Sequence, residues 1–299
     1  MVRPQTIVLQ DVTLGYNGCP AVSHVSGTIL PGTLLAVVGP NGGGKSTLIK
    51  ALAGLLRPLG GRIDGLAGQR VAYLPQQTTL ERGFPITVGE FAAMGLWHEV
   101  GAFGGFRSGQ RRRVYEALEV VGLEGHAHVS IDRLSGGQLQ RTLFARLILQ
   151  DAPLLLLDEP FAAIDQRTTA DLLDILRGWH SRGKTVLAVM HDLHQVRAAF
   201  PETLMLEGEP TAWGPTARVL APANLRPTRV LSGDSDERIE VGVIPERLTV
   251  RVYPDFEAHR HDLDAGHAQI QSIGGSGIGS WAAVFPEGAG DPNRWLRRR

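Results

Sequence analysis

The sequence has 299 residues, with 30 basic and 30 acidic side chains, and 43% of its residues are hydrophobic. This composition indicates a soluble globular protein of one or two domains, and a net charge of zero argues against a nucleic-acid partner. The single cysteine, Cys19, excludes an internal disulfide, and neither a signal-like leader nor an apolar run of membrane-spanning length is visible, so we expect any membrane role to depend on a partner.

The first part of the chain predicts strands that lead into a helix. Alternating or continuous apolar positions indicate strands at residues 5–16, 25–30, 34–39 and 70–74. The run LLAVVG at 34–39 is continuously apolar and ends in glycine, which is typical of a central parallel strand. A helix is expected after it, at residues 45–56.

The second part of the chain predicts helices that alternate with buried strands. The pattern is helical from about residue 87 to 128, apart from the glycine-rich stretch at 101–109. Further helices and buried strands are expected in alternation at residues 138–149, 154–158, 166–182 and 185–190. Leu139, Leu143 and Leu147 share one face of the first of these helices. This alternation indicates an α/β domain with a mainly parallel sheet.

The composition changes after about residue 225, where glycine, aspartate, arginine and histidine become frequent. Two short strands are expected there, at residues 239–244 and 248–253, within a weakly structured tail. The stretch HRHDLDAGH at 259–267 contains histidines and carboxylates, which suit Zn²⁺. Its spacing matches no established site, so chance enrichment or an altered reading frame explains it better.

The segment GPNGGGKST at 39–47 fits the pattern of a phosphate-binding loop. Its glycines let backbone N–H groups turn toward a polyphosphate without Cβ clashes. Lys45 supplies a charge to the β and γ phosphates, and Ser46 offers a hydroxyl to Mg²⁺. An apolar strand precedes the segment and a helix follows it, as this motif requires. The alternative is a glycine-rich turn that matches by chance.

Two acidic residues and a histidine follow buried strands further along the chain. Asp158 can hold Mg²⁺ through water, and Glu159 is placed to take a proton from an attacking water. His191 follows the next strand and is expected at the same edge of the sheet, where ligands bind. The alternatives are two solvated acids at a strand end and a structural histidine.

The segment LSGGQLQR at 134–141 contains no nucleophile with a base and no metal-ligand pair. Its Ser135-Gly136-Gly137 sequence opens a helix, so backbone N–H groups and a hydroxyl form a second anion receptor. The residues alone therefore predict two phosphate contacts in one chain.

These motifs, in this order, resemble the ATP-binding cassette (ABC) ATPases over about residues 5–225. The resemblance implies an α/β fold: a P-loop NTPase (RecA-like) core with a mainly parallel sheet, an antiparallel β subdomain, and a helical subdomain that carries LSGGQ at about 87–150. It assigns residues 1–225 to the ATP-binding domain and leaves 226–299 as a tail. It also implies an ATPase that uses ATP and Mg²⁺, in which two cassettes pair head to tail.

The resemblance gives each motif residue a role. Ser135 and Gly137 contact the nucleotide held by the other chain, and Asp165 couples the two sites. Tyr16 stacks on adenine, or else it is an ordinary exposed tyrosine at a strand end. The implied nucleotide contacts are Tyr16, Gly39, Pro40, Asn41, Gly42, Gly43, Gly44, Lys45, Ser46, Thr47, Ser135, Gly137, Asp158 and Asp165.

The implied catalytic residues are Glu159, His191 and Gln76, and the implied Mg²⁺ ligands are Ser46, Asp158 and Gln76. Gln77 is the neighbouring alternative to Gln76. Ala162 stands where the family usually has serine, so one hydrogen bond across the dimer is expected to be missing.

Segments 15–27 and 83–95 are similar to zinc and manganese importers, and segment 191–220 is most similar to zinc-uptake ATPases. This implies the energy-coupling ATPase of a bacterial divalent-metal importer, with zinc before manganese. The implied partners are a second cassette in a homodimer, integral membrane permease subunits and, indirectly, an extracytoplasmic metal-binding protein, with no nucleic acid. The implied location is the cytoplasmic face of the inner membrane, through the permease.

Three other functions remain as alternatives. Haem, siderophore and cobalamin importers have related cassettes. Non-transport ABC ATPases usually carry coiled-coil insertions or tandem cassettes, and neither is visible in this sequence. In a nucleotide kinase the LSGGQ segment would have no purpose.

Overall fold

Strands and helices alternate along most of the structure, a computed structural model that describes residues 4–76, 85–101, 105–162, 164–224, 226–228 and 240–242. The strands are β1 (Ile7–Tyr16), β2 (Cys19–Ile29), β3 (Leu34–Val38), β4 (Gly60–Asp64), β5 (Val71–Leu74), β6 (Leu154–Asp158), β7 (Thr185–Val189), β8 (Glu202–Leu206), β9 (Pro210–Pro215), β10 (Arg226–Thr228) and β11 (Glu240–Gly242). The helices are α1 (Lys45–Leu52), α2 (Val88–Ala93), α3 (Trp97–Val100), α4 (Ser108–Val120), α5 (Gly136–Gln150), α6 (Gln166–Ser181), α7 (Leu193–Ala199) and α8 (Thr216–Val219). Short 3₁₀ turns lie at Met94–Leu96, Ile131–Arg133 and Pro222–Asn224.

A mainly parallel sheet in the order β5-β6-β7-β3-β8-β9 forms the centre of the structure. Neighbouring strands from β5 to β8 pair in parallel, and β9 pairs antiparallel with β8. Every residue of β3, β6 and β7 is buried, as is typical of strands covered on both faces. The predicted α/β class is therefore confirmed.

The two faces of this sheet belong to two apolar clusters. Along β3, Leu34, Ala36 and Val38 enter one cluster, while Leu35 and Val37 enter the other, because side chains alternate along a strand. The first cluster includes the helices between β5 and β6, and the second includes α1 and the antiparallel sheet. Both faces are thereby shielded from water, and the carboxyl ends of the strands remain as the open edge.

The antiparallel sheet has the order β2-β1-β4. Its hairpin turns at Asn17 and Gly18, whose φ angles are 51° and 78°. Positive φ at both central residues is typical of a type I′ turn, which Asn-Gly sequences favour. The turn places Tyr16 at the end of β1, where its ring lies near Lys50 of α1.

The helical part between β5 and β6 packs around α5. Leu96, Leu118 and Phe144 are fully buried there. Thr87 begins α2 in a capping box with Glu90, which satisfies N–H groups at the start of that short helix. This part carries the LSGGQ segment on α5, as expected from the resemblance.

Some elements differ from the sequence-based expectation. The strands β4, β8 and β9 were not predicted, and β2 begins six residues earlier than residue 25. The first helix ends at Leu52 rather than at residue 56, because the chain leaves the helix through Gly54, which has a φ of 75°.

The strand expected at 239–244 includes β11, which pairs antiparallel with β10. The strand expected at 248–253 and the histidine-rich stretch at 259–267 lie outside the described residues. Within the described ranges, no helix combines the length and apolar character needed to cross a membrane.

Candidate functional site

The loop between β3 and α1 requires glycine at particular positions. Gly39 has a φ of 145° and Gly44 a φ of 86°. A Cβ atom on Gly39 would collide with the carbonyl oxygen of Leu206, and one on Gly44 would collide with Val22. Glycine satisfies both the backbone conformation and the close packing, so the loop can turn its N–H groups toward a ligand.

The remaining residues of the loop form its outer edge and its join to α1. Asn41 and Gly42 are exposed, and the Gly43 N–H donates to the Pro40 carbonyl oxygen at 3.1 Å. Thr47 is buried in the first turn of α1. That turn contains no acidic residue, so the positive end of the helix faces the loop without a competing carboxylate.

Lys45 lies inside the curve of the loop. Its side chain is 5% exposed, and its ammonium donates to the carbonyl oxygens of Gly39 at 2.9 Å and Pro40 at 2.8 Å. A charge held this way is already ordered at the position where a phosphate would bind. The loop, Lys45 and the start of α1 together make a preformed anion site.

Ser46 and Asp158 meet across the base of this anion site. The Ser46 hydroxyl donates to Oδ1 of Asp158 at 2.8 Å, although the two residues lie far apart in the chain. Asp158 is almost fully buried, and this burial raises the pKa of its carboxyl; the Ser46 hydrogen bond acts in the opposite direction, and the charge of Glu159 adds to the rise.

The oxygen atoms at this position fit Mg²⁺. Hydroxyl and carboxylate oxygens are the hard ligands that Mg²⁺ prefers. A buried carboxylate whose ionisation is penalised also gains from a nearby cation, which would offset the loss of water. Ser46 and Asp158 are therefore suited to hold the metal of a metal–nucleotide complex.

Glu159 and His191 form a pair at the same edge of the sheet. Asp158 is in register with Val189, so the residues after β6 and β7 emerge side by side. The distance between Glu159 Oε1 and His191 Nε2 is 2.6 Å. Glu159 is a non-glycine residue with a φ of 52°, which turns the chain sharply after the strand. The pair has the composition of a carboxylate base and an orienting partner.

Tyr16 lies on the other side of α1. Its ring is 47% exposed, and the Lys50 ammonium lies 5.8 Å from the ring centroid. An exposed aromatic face beside the phosphate loop can stack on a nucleotide base.

Gln76 comes two residues after the end of β5 and is exposed. Because Leu74 is in register with Leu157, Gln76 emerges at the same edge of the sheet as Asp158. Gln77 lies outside the described residues.

Tyr73 belongs to this region but was not identified from the sequence. Burial, followed by the charges of Asp158 and Tyr16, raises the pKa of its phenol to about 12. Its hydroxyl is buried and finds no hydrogen-bond partner within the described residues. Its position in the apolar pattern of β5 gave no signal, because a tyrosine there is equally suited to core packing.

Ser135 caps the start of α5. Its Oγ accepts from the Gln138 N–H at 3.2 Å, while its own N–H donates to Gln138 Oε1 at 3.0 Å. The hydroxyl proton remains able to donate to an anion while the oxygen caps the helix. The first N–H groups of α5, from Gly136 and Gly137, lack preceding carbonyl partners within the helix. The donors of the predicted second anion receptor therefore lie together at the start of α5.

Asp165 lies beside this second receptor. The three atoms nearest to a Cβ placed on Gly137 belong to Asp165 and Thr168, at 3.7–3.9 Å. Asp165 caps α6, and its carboxylate accepts from the Thr168 N–H at 2.9 Å and the Thr168 hydroxyl at 2.8 Å, which lowers its pKa.

The structure thus arranges the predicted residues as two groups. One group contains the phosphate loop, Lys45, Ser46, Asp158, Glu159 and His191. The other contains Ser135, Gly137 and Asp165. The second group holds N–H and hydroxyl donors, and the carboxylate of its Asp165 accepts from Thr168.

Residues 22–162 match the ABC transporter family. A probable metal transport system ATP-binding protein from Chlamydia pneumoniae is 38% identical over 218 residues, which are 71% of this chain and 84% of that protein. The zinc transport system ATP-binding protein TroB of Treponema pallidum is 40% identical over 67% of this chain and 77% of its own length. The manganese transport system ATP-binding protein MntB of Halalkalibacterium halodurans is 35% identical over 72% and 88%.

Solved structures of ABC transporters and their cassettes are also similar to this chain. An inward-facing putative metal-chelate type ABC transporter matches with a TM-score of 0.65 and 30% identity, over 72% of this chain and 85% of that chain. A dimeric ATP-binding cassette in a post-hydrolysis state, bound to ADP and phosphate, matches with a TM-score of 0.62 and 27% identity, over 70% and 98%.

Proposed function

Because the chain belongs to the ATP-binding subunits of ABC transporters, we propose that it is the energy-coupling ATPase of a divalent-metal importer that takes zinc in preference to manganese. The observation that carries this proposal is the joint placement of Ser46 with Asp158 and of Glu159 with His191 beside the phosphate loop. Such an arrangement supports hydrolysis of a bound nucleotide and not only its recognition.

Nucleotide binding begins at the preformed anion site. The loop N–H groups, Lys45 and the start of α1 receive the phosphates, and Tyr16 offers its ring to the adenine. Mg²⁺, when bound, neutralises charge on the β and γ phosphates, and Ser46, Asp158 and Gln76 are the residues that would hold it.

Hydrolysis requires a water molecule to lose a proton as it attacks the γ-phosphate. Glu159 is the group placed to accept that proton. His191, at 2.6 Å from the Glu159 carboxylate, restrains the direction in which the base points and would contact the γ-phosphate. The neighbouring Asp158 remains engaged with Ser46, so the two adjacent carboxylates have different tasks.

The presence of two sets of anion-binding donors in one chain supports a head-to-tail homodimer. Ser135 and Gly137 would contact the γ-phosphate of a nucleotide held by the partner's loop, so each active site would be built from both chains. Asp165, beside Gly137, would link the two sites, and Ala162 in place of a serine would remove one contact between the chains. We place the cassette at residues 1–225, with residues 226–299 as a separate tail.

Transport requires partners that span the membrane. The proposed partners are integral membrane permease subunits, with an extracytoplasmic metal-binding protein acting through them. The chain would work at the cytoplasmic face of the membrane, where ATP is available, attached through the permease. Nucleic acid is not a proposed partner.

Metal uptake in a strain deleted for this gene tests the proposal. We expect uptake of radioactive zinc to fall to background while uptake of manganese remains. A wild-type copy should restore zinc uptake, and a Glu159→Gln copy should not, because it lacks the base. A loss of manganese uptake with intact zinc uptake would reverse the ion preference.

A metal chelate is the second candidate cargo. The match to a putative metal-chelate type transporter favours it. In that case deletion of the gene would leave the uptake of free zinc and of free manganese unchanged. Uptake of a haem, siderophore or cobalamin complex would fall instead. The same strains distinguish the two cargoes.

A further inference from the structure

The helix α5 is fastened to the turn that follows Glu159. The side-chain amide of Gln140 donates to the carbonyl oxygen of Pro160 at 2.6 Å. One turn further along α5, the ring of Phe144 lies against the ring of Phe161, with centroids 6.3 Å apart and an interplanar angle of 29°. Two consecutive residues after Glu159 are therefore held by one helix.

This turn needs external restraint. Glu159 has a φ of 52°, a conformation that residues with a side chain adopt rarely, and the following Pro160 narrows its options further. Strained backbone of this kind persists only where neighbouring groups fix it. Within the turn, the Ala162 N–H donates to the Glu159 carbonyl oxygen at 3.2 Å. The contact from Gln140 supplies restraint from outside the turn.

The helix that supplies this contact is itself well anchored. Phe144 is fully buried and stacks on Trp179 of α6, with centroids 5.8 Å apart and an interplanar angle of 9°. One turn of α5 thus reaches both the turn after Glu159 and the helix that Asp165 caps. A side chain on such a rigid element fixes the atom it touches better than a loop residue could.

We propose that Gln140 is a positioning residue for Glu159. By holding the Pro160 carbonyl, its amide keeps the strained turn in the conformation that points the Glu159 carboxylate toward the attacking water. This role rests on the proposed function, because it presumes that Glu159 activates water. It adds to the machinery of hydrolysis a residue of the LSGGQLQR segment that has no proposed contact with the nucleotide.

The contact between Gln140 and Pro160 would also link the two active sites of the proposed dimer. Ser135 begins α5, and Gln140 lies five residues later, about 7.5 Å along the helix axis. In the head-to-tail dimer, Ser135 serves the partner's nucleotide while Glu159 serves the nucleotide of its own chain. A shift of α5 when Ser135 engages one nucleotide would therefore move Pro160 beside the base at the other.

Three variants of the full-length protein test the positioning role. Gln140→Met keeps the length of the side chain but removes the donor, whereas Gln140→Lys keeps a donor that can reach Pro160. Gln150→Met is the matched control, since it makes the same change on the same helix at a side chain whose carbonyl oxygen has no hydrogen-bond partner in the described structure. The measurements are kcat and KM for ATP hydrolysis, with ATP affinity and thermal unfolding recorded for each variant.

We expect Gln140→Met to lower kcat about tenfold while KM changes less than about twofold, because one hydrogen bond is lost and none of the ATP contacts. Gln140→Lys should recover most of the rate, and Gln150→Met should match the wild type. A Gln140→Met rate equal to that of the control would overturn the proposal, as would failure of Gln140→Lys to recover a rate that Gln140→Met has lost.

A double-mutant cycle separates positioning from general damage. If Gln140 acts through Glu159, adding Gln140→Met to Glu159→Gln should not lower the residual single-turnover rate further. Light scattering should show that Glu159→Gln and the double mutant both still form an ATP-dependent dimer. A further tenfold loss in the double mutant would contradict the proposed route. Absence of ATPase activity in the wild type would instead count against the proposed function itself.

Discussion

Asp158 and Glu159 show how neighbouring residues of similar chemistry acquire different tasks. Asp158 is buried and bonded to Ser46, so it presents a carboxylate that gains from a cation. Glu159 turns away from the strand and meets His191. In the proposed mechanism, environment and not residue type separates the metal-binding acid from the base.

The burial of Asp158 predicts a pH effect on stability. Its pKa in the folded chain is raised above the ordinary value of 3.8, so its stabilising contribution is complete below pH 3.8 and is lost as pH rises through the folded pKa. We expect Asp158→Asn to stabilise the nucleotide-free protein at neutral pH, because asparagine carries no charge to bury. Thermal unfolding against pH measures this effect.

The same variant should respond poorly to Mg-ATP. Wild-type protein gains stability from the bound complex, whereas Asp158→Asn lacks the charged oxygen suited to the metal. Asp158→Glu, which keeps a carboxylate, serves as the control. If Asp158→Asn melted at a lower temperature than the wild type at pH 7 without nucleotide, the predicted destabilising effect of the Asp158 charge would be wrong.

At the scale of elements, the phosphate loop depends on its packing as well as on its backbone. Gly39 and Gly42 both have positive φ, at 145° and 79°. A Cβ on Gly39 would meet the Leu206 carbonyl oxygen, but one on Gly42 would meet no described atom within 4 Å. The two glycines therefore separate conformational strain from steric conflict.

We expect Gly39→Ala to weaken ATP binding at least about tenfold and to destabilise the fold by about 3 kcal/mol, since β8 and the loop must move apart. Gly42→Ala should cost about 1 kcal/mol, from strain alone. Chemical denaturation and nucleotide titration measure the two quantities. Equal effects of the two substitutions would show that the close approach to Leu206 is unimportant.

The sequence predicted those elements that are marked by a local pattern of apolar or capping residues. The strands β3, β6 and β7 are continuous apolar runs, and the ends of the predicted helices fall near capping residues such as Ser135 and Asp165. The strand β4 contains two glycines, an arginine and an aspartate, so its sequence resembles a loop; it exists because it pairs with β1. Similarly, β9 depends on its pairing with β8.

The candidate site likewise contains residues that local motifs predict and contacts that only the fold determines. Lys45, Ser46, Asp158 and His191 lie in short motifs whose spacing indicates their chemistry. Their proximity follows from strand order, which periodicity alone does not supply. The contact between Gln140 and Pro160 depends on how α5 crosses the sheet, so no local pattern could have predicted it.

At the scale of the whole molecule, exchange of chains between two inactive variants tests the proposed dimer. Lys45→Ala spoils the loop of its own chain, and Ser135→Arg spoils the receptor offered to the partner. In a mixed dimer both defects fall on one site and leave the other intact. Mixing should recover up to about a quarter of wild-type ATPase activity if dimers form at random and the sites act independently.

The control is each variant alone, which should be inactive. Dimer exchange must be verified with labelled chains, and a covalently linked heterodimer with ATP-binding measurements covers the case in which both sites must act together. If Ser135 served the nucleotide of its own chain, no mixture would recover activity.

The proposed sharing of each active site between two chains has a kinetic consequence. When a second chain must complete each active site, the specific activity of the free protein depends on its concentration and falls on dilution as the dimer dissociates. A newly made subunit that is at low concentration and not bound to a permease would therefore not hydrolyse ATP. Recruitment of two copies to one permease would raise their local concentration, so that turnover would begin only where a substrate can be moved.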